Sequence, residues 1–205
     1  MRADKTFFDQ EENEILRQVE DFHKILTHLK YEGKVSRGKN VKAANRAMSR
    51  LVGTFKKHRR LQEEIIFPFL QVHIPKHEAV IRFLRSDHED IKKNKDRLRL
   101  SLQKLSKQSV TENGKIQELG VYLICLLRHH LELEKENIHK AIKRELREDE
   151  KKEIGVRIKK WLTINRSGKS LDLRFFQTHN EKECFHDRRS NRTAESKETQ
   201  HENSI

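Results

Sequence analysis

Apolar residues recur three and four positions apart along most of this chain, the spacing that gathers them on one side of an α-helix. In a first stretch, about 9–31, the stripe is Leu16, Val19, His23 and Leu26. A loop with Gly33 and Gly38 precedes a second stretch, about 41–71, with Leu51, Phe55, His58, Gln62, Ile65 and Phe69 facing inward. Pro68 falls near its end, and Pro75 marks the turn that follows. The third stretch, about 77–107, carries Ile81, Leu84, His88, Ile91, Lys95, Leu98, Leu102 and Leu105. A turn over 108–114, broken by Asn113 and Gly114, leads to the fourth, about 115–147. Its inward residues are Ile116, Leu119, Leu123, Leu126, His130, Glu134 and Ala141. A shorter helix, about 150–162, carries Ile154, Ile158 and Trp161, and beyond Asn165 the chain turns polar and irregular. No stretch alternates as a strand would. The pattern predicts an all-α protein, an antiparallel up-and-down four-helix bundle with a short extra C-terminal helix over 1–163. A polar, disordered tail is expected over 164–205.

Each long stripe contains one histidine: His23, His58, His88 and His130. A single histidine on an apolar face is usually a core residue satisfied by a neighbour. Four of them, one per helix, are harder to satisfy in that way, because every buried imidazole needs partners for its nitrogens. A shared metal ion would serve all of them. Depth agrees with this: His58 lies twelve residues before Leu70, and His88 twelve after Lys76. At a rise of about 1.5 Å per residue they sit at one height. His88 and His130 match across the next turn. His23 matches only if the first helix runs past Gly33 or the second protrudes. Glu134, four residues after His130, leaves the same helix face. Buried, it needs either a metal or a salt bridge, for which Lys95 is the candidate. Histidine with carboxylate in a helical bundle suits iron or manganese. Structural zinc usually recruits cysteines, and Cys125 and Cys184 form no such motif.

Composition changes this picture little. Of 205 residues, 38% are charged and 34% hydrophobic, a balance that fits solvated helix faces. The net charge of +13 invites a nucleic-acid partner. However, the charges alternate in sign, as over 140–152, and no aromatic residues interleave with the basic ones, which argues against a nucleic-acid groove. The longest apolar run, 119–127, is too short to span a bilayer, and residues 1–8 lack a signal-peptide core. With unpaired cysteines, the expectation is a cytoplasmic protein with no membrane association.

Four segments carry a family likeness. Phe55-Lys-Lys-His58-Arg-Arg-Leu-Gln62-Glu63-Glu64-Ile-Ile-Phe67-Pro68 resembles the second-helix motif of the hemerythrin-like, or HHE cation-binding, family. Ser86-Asp-His88-Glu-Asp-Ile91 resembles the third, His129-His130-Leu-Glu-Leu-Glu134 with Glu136 and Ile138 the fourth, and Asp21-Phe-His23-Lys-Ile25 the first. The likeness covers about 9–147. It implies a non-haem iron centre, usually of two ions, that carries or senses dioxygen, binds nitric oxide or senses iron. It also implies His23, His58, His88, His130 and Glu134 as ligands. The chain departs from the family pattern once, where Gln62 stands in place of the expected glutamate. Either Glu63 reaches the metal through a local helix distortion, or the bridging carboxylate is missing and the site holds one ion or binds the pair weakly. The cysteine-rich segment of cluster-repair relatives is absent.

No nucleophile–base pair or phosphate-binding glycine loop points to a conventional enzyme. The alternative to a metal- and gas-binding protein is a metal-free helical interaction module with a buried His/Glu network. Protein partners and oligomeric state stay open on sequence alone.

Overall fold

Long runs free of proline and rich in Leu, Lys, Glu and Arg favour helix throughout, and helix is what forms. The computed structural model describes residues 2–31, 37–105 and 112–166, and no strand occurs among them. Helix α1 spans Arg2–Tyr31 and α2 spans Arg37–Leu61. Pro68 then sets the local geometry. In an unbroken α-helix its ring would strike the carbonyl of Glu64, and the bond to that carbonyl would be lost. The chain answers with a π-helical turn over Gln62–Ile66, in which Phe67 N–H donates to the Gln62 carbonyl. Helix α3, Phe67–His73, then resumes with Pro68 in its first turn. A 3₁₀ turn, Pro75–His77, reverses the chain into α4, Glu78–Leu105. Helix α5 spans Glu112–Glu134 and passes through a second π turn, Lys135–His139, into α6, Lys140–Glu145. Leu146 is extended, and α7 spans Glu148–Arg166.

Gly38, Asn113 and Gly114, expected in connections, lie instead within the first turns of α2 and α5. First-turn N–H groups have no intrahelical partner, so residues of low helix propensity cost little there. Helix α7 also runs beyond the expected 162.

Helix α1 packs against α2 and α5, and α4 packs against α5 and α2. Their common core includes Val19, Phe22, Leu26, Leu51, Phe55, Leu98, Leu102, Ile116, Leu123 and Leu127. The approach of α1 to α5 is close at Gly120, where an added Cβ would collide with Leu26 Cδ1. One turn away, Gln117 Nε2 donates to the Leu26 carbonyl at 2.7 Å. Three expected inward residues, on two helices, face elsewhere. On α1 the buried face is Ile15, Val19, Phe22, Leu26 and Leu29, while Leu16 and His23 are exposed. On α4, Asn94 is buried in place of Lys95 and donates to the Leu119 carbonyl at 2.9 Å. Lys95 pairs with Asp96, so it does not neutralise Glu134.

The chain divides into two compact units, Met1–Lys160 and Trp161–Ile205. The described part of the second is the end of α7, where Asn165 Nδ2 donates to the Trp161 carbonyl. From residue 167 onward, the expected polar tail lies outside the described residues. No helix among the described residues is long and apolar enough to cross a membrane.

Candidate metal centre

Polar side chains from three of these helices and one π turn meet inside the apolar core. His58 in the last turn of α2, His88 in α4, and His130 and Glu134 at the end of α5 are each at most 2% exposed. Gln62, from the first π turn, is fully buried beside them. His58 Nε2 lies 2.9 Å from Glu134 Oε2. His88 Nε2 lies 2.9 Å from Gln62 Oε1 and 3.3 Å from His130 Nε2. The donor atoms of His58, His130 and Glu134 fall within 4.8 Å of one another.

The opposite ring nitrogens share a pattern. His88 Nδ1 lies 2.8 Å from Glu63 Oε1, His58 Nδ1 3.5 Å from Glu11 Oε2, and His130 Nδ1 3.6 Å from Asp87 Oδ2. Each imidazole thus turns Nε2 toward the centre and Nδ1 toward a carboxylate at the edge. A proton on Nδ1 leaves the inward nitrogen with its lone pair. His88 Nε2, His130 Nε2 and Gln62 Oε1 then converge as acceptors, while Gln62 Nε2 makes no hydrogen bond. A cation satisfies such a set, and carboxylate–imidazole pairing is what orients metal-bound histidines. Three imidazoles, a carboxylate and an amide oxygen fit iron or manganese.

Aromatic rings shield the cluster. Phe55 lies 5.9, 5.8 and 5.5 Å from the rings of His58, His88 and His130, and Phe67 stacks on His88. They exclude water and limit ring rotation. Beside Phe55 and His88 is an open cleft of about 270 Å³, lined by Leu51, Leu123 and Leu127 and also by Lys56, Arg59, Lys92 and Lys95.

Charge is strongly coupled here. Burial would lower the pKa of His58, but the carboxylates of Glu134 and Glu11 raise it to about 10. Burial would raise that of Glu134, but His58 and His139 hold it well below the carboxylate range. Burial, then the neighbouring charges of His130, His58 and Arg59, push His88 down to about 2. That keeps His88 neutral beside the cationic His58.

The family model of the hemerythrin HHE cation binding domain matches residues 5–142, more than half of the chain. The chain belongs to that family. No curated protein and no solved structure matches it.

Within this hemerythrin-like domain, the expected site residues separate into three groups. His58, His88, His130, Glu134 and Gln62 come together. Glu63 is one-third exposed and meets His88 from the outside. The helix distortion anticipated at this point is present, but it brings Glu63 to the far nitrogen of His88. His23 is exposed and lies away from the cluster. The face holding Ile15 and Phe22 buries more apolar surface than the face holding Leu16 and His23, and that decides the rotation of α1. What α1 brings instead is Glu11 and Glu12.

Glu11, Glu12, Asp87 and His139 were not singled out in the sequence. Glu12 had a legible signal, since it extends the true stripe Ile15, Val19, Phe22 back by one turn. Asp87 and Glu63 adjoin motif residues but lie off the stripes. His139 looks exposed on a regular helix, yet it is half-buried, 3.4 Å from Glu134 Oε1 and 3.1 Å from Glu12 Oε1.

Proposed function

We propose that this chain is a non-haem iron-binding protein of the hemerythrin type, built as an antiparallel up-and-down four-helix bundle. It would bind or sense dioxygen, nitric oxide or iron itself at the His58, His88, His130 and Glu134 centre. The observation that carries this is the common orientation of the three histidines, Nε2 inward beside Glu134 and Nδ1 outward to a carboxylate. In this assignment Gln62 offers its amide oxygen, Glu63 holds the His88 tautomer, and Glu11 and Asp87 lie beside the Nδ1 atoms of His58 and His130. Phe55 and Phe67 pack on the imidazoles, and the cleft beside His88 offers a small molecule a route toward the centre. Bound iron would supply a redox-active Lewis acid with affinity for such molecules. The exposed, unpaired thiol of Cys125 is compatible with a reducing compartment, and we place the protein in the cytoplasm.

The buried contact between His58 and Glu134 at 2.9 Å favours one other reading, a metal-free polar network in an interaction module. Elemental analysis separates the two. Protein from iron-supplemented cells is expected to carry iron, and His130→Ala and Glu134→Ala are expected to lose most of it while staying helical. A metal-free, folded, unmodified protein would leave the network reading standing.

A further inference from the structure

We propose that the exposed face of α2 is a docking surface for the phosphate backbone of a nucleic-acid duplex, bound without regard to base sequence. This goes beyond the buried centre and does not depend on whether an ion is held there.

The first support is composition within one element. Helix α2, Arg37–Leu61, holds nine lysines and arginines and no aspartate or glutamate. The alternation of sign over 140–152, which argued against a nucleic-acid partner, does not extend to it. The second support is placement. Val41, Ala44, Met48, Leu51 and Phe55 turn into the core. The outer face is left with Lys39, Lys42, Arg46, Arg50, Lys56 and Lys57, with only Ser49 and Gly53 between them. Lys42, Arg46 and Arg50 are four apart, so they form a row with steps of about 6 Å along the axis. From Lys39 to Lys57 the basic face runs for about 27 Å.

The third support is the lack of neutralising partners. Lys57 meets Glu11 at 3.5 Å, and Arg60 meets Glu64 at 2.8 Å. Lys39, Lys42, Arg46, Arg50 and Lys56 make no ion pair among the described residues. Helices α1 and α4, which pack against α2, do not supply the missing charge. Between Asp21 and its end, α1 has no carboxylate but has Lys24 and Lys30. Between Asp96 and its end, α4 has none but has Arg97, Arg99 and Lys104. Lys92 and Lys95 of α4 line the cleft with Lys56 and Arg59, but they pair with Glu89 and Asp96. The unopposed charge therefore stays on α2, where it creates a positive field that attracts a polyanion.

The same face selects among polyanions. None of the large exposed apolar side chains among the described residues lies on α2, so it has nothing to insert into a bilayer. Its one aromatic residue, Phe55, is buried, so it offers no platform on which the bases of a single strand could stack. A duplex asks for neither. It presents one charge per roughly 1.7 Å of its axis, a density that a straight row of cations can follow.

The test is fluorescence anisotropy of the full chain with mixed-sequence duplex DNA and duplex RNA as probes, over a range of salt. The chain is used unmodified, as Arg46→Glu/Arg50→Glu, and as Lys143→Glu/Lys152→Glu. Both variants make the same change in net charge at exposed positions, on α2 in the first and on α6 and α7 in the second. Circular dichroism confirms that they fold. The unmodified chain is expected to bind both duplexes at low salt. With about five phosphate contacts, it should lose affinity about 500-fold between roughly 50 and 200 mM salt. The α2 variant should bind more than about tenfold more weakly, with the logarithmic salt dependence shallower by about two. The other variant should stay within about threefold of the unmodified chain, since exposed charges beyond a Debye length are screened. Absence of binding to either duplex at low salt would overturn the proposal. Equal weakening in the two variants would overturn it too, because net charge alone would then explain the binding. Tighter binding to single strands, or to phosphatidylserine vesicles, than to duplexes would also overturn it.

Discussion

Glu63 was expected as a possible substitute for a missing ligand, and the fold gives it a different task. It accepts from His88 Nδ1 at 2.8 Å, and this bond sets which nitrogen of His88 keeps its lone pair. Glu63→Ala should therefore leave the fold intact, since the side chain is one-third exposed, and should weaken metal retention roughly 10–100-fold. Competition with a chelator of known affinity measures this. Single positions also mark the limit of what could be read beforehand. His58, His88, His130 and Glu134 stood out because each sits in a stripe with one unambiguous face. His23 did not resolve in this way. The stripes Leu16-Val19-His23-Leu26 and Ile15-Val19-Phe22-Leu26 share two residues and differ by a small rotation. Only the burial of Phe22 and Ile15 decides between them, and that depends on the partners α1 finds.

Among the elements, α4 and the α2–α3 stretch were legible almost residue by residue, since their apolar spacing keeps step for many turns. The π turns were less so. A distortion near Gln62 could be anticipated from the displaced glutamate, Glu63, whereas nothing in the residue pattern announces the turn over Lys135–His139 apart from Asn137, whose side-chain amide donates to the Leu133 carbonyl. Because His139 is brought in only by that turn, a straight-helix reading leaves it at the surface. The crossing of α1 and α5 is an element-scale feature as well. Gly120 allows Leu26 to lie against the α5 backbone. Gly120→Val should destabilise the protein by about 1–3 kcal/mol, the usual penalty for overpacking a filled core. Chemical denaturation would show it as a lower midpoint at unchanged slope.

For the molecule as a whole, the corner between α3 and α4 is tied to the corner between α6 and α7. Glu145 pairs with Lys76 at 2.8 Å and with His77 at 3.0 Å. Glu150 meets His73 Nδ1 at 3.1 Å and accepts from the Arg147 N–H at 2.7 Å. Lys76 and His77 hold Glu145 below the usual carboxylate range. Burial would raise Glu150, but the Arg147 N–H and His73 outweigh it and hold it low. A carboxylate depressed by folding stabilises the native state above its unfolded pKa, about 4.3, and that contribution is lost as pH falls through the folded value. Glu150→Gln should therefore melt at a lower temperature than the unmodified protein at pH 7, and the gap should close on acidification below about pH 4. Melting curves over that range decide the point. A π turn carries one residue more than the α-helical turn it replaces. Each of the two long helical stretches here, Arg37–His73 and Glu112–Glu145, is thus two α-helices in register with the core, joined across a one-residue surplus. The surplus over Lys135–His139 lies in a stretch without proline, so removing Glu136 from it would let that stretch close into ordinary helix without turning either flank, and the hydrophobic faces would keep their alignment. In these helices the residue that shapes the polar cluster is one that the surrounding core can do without.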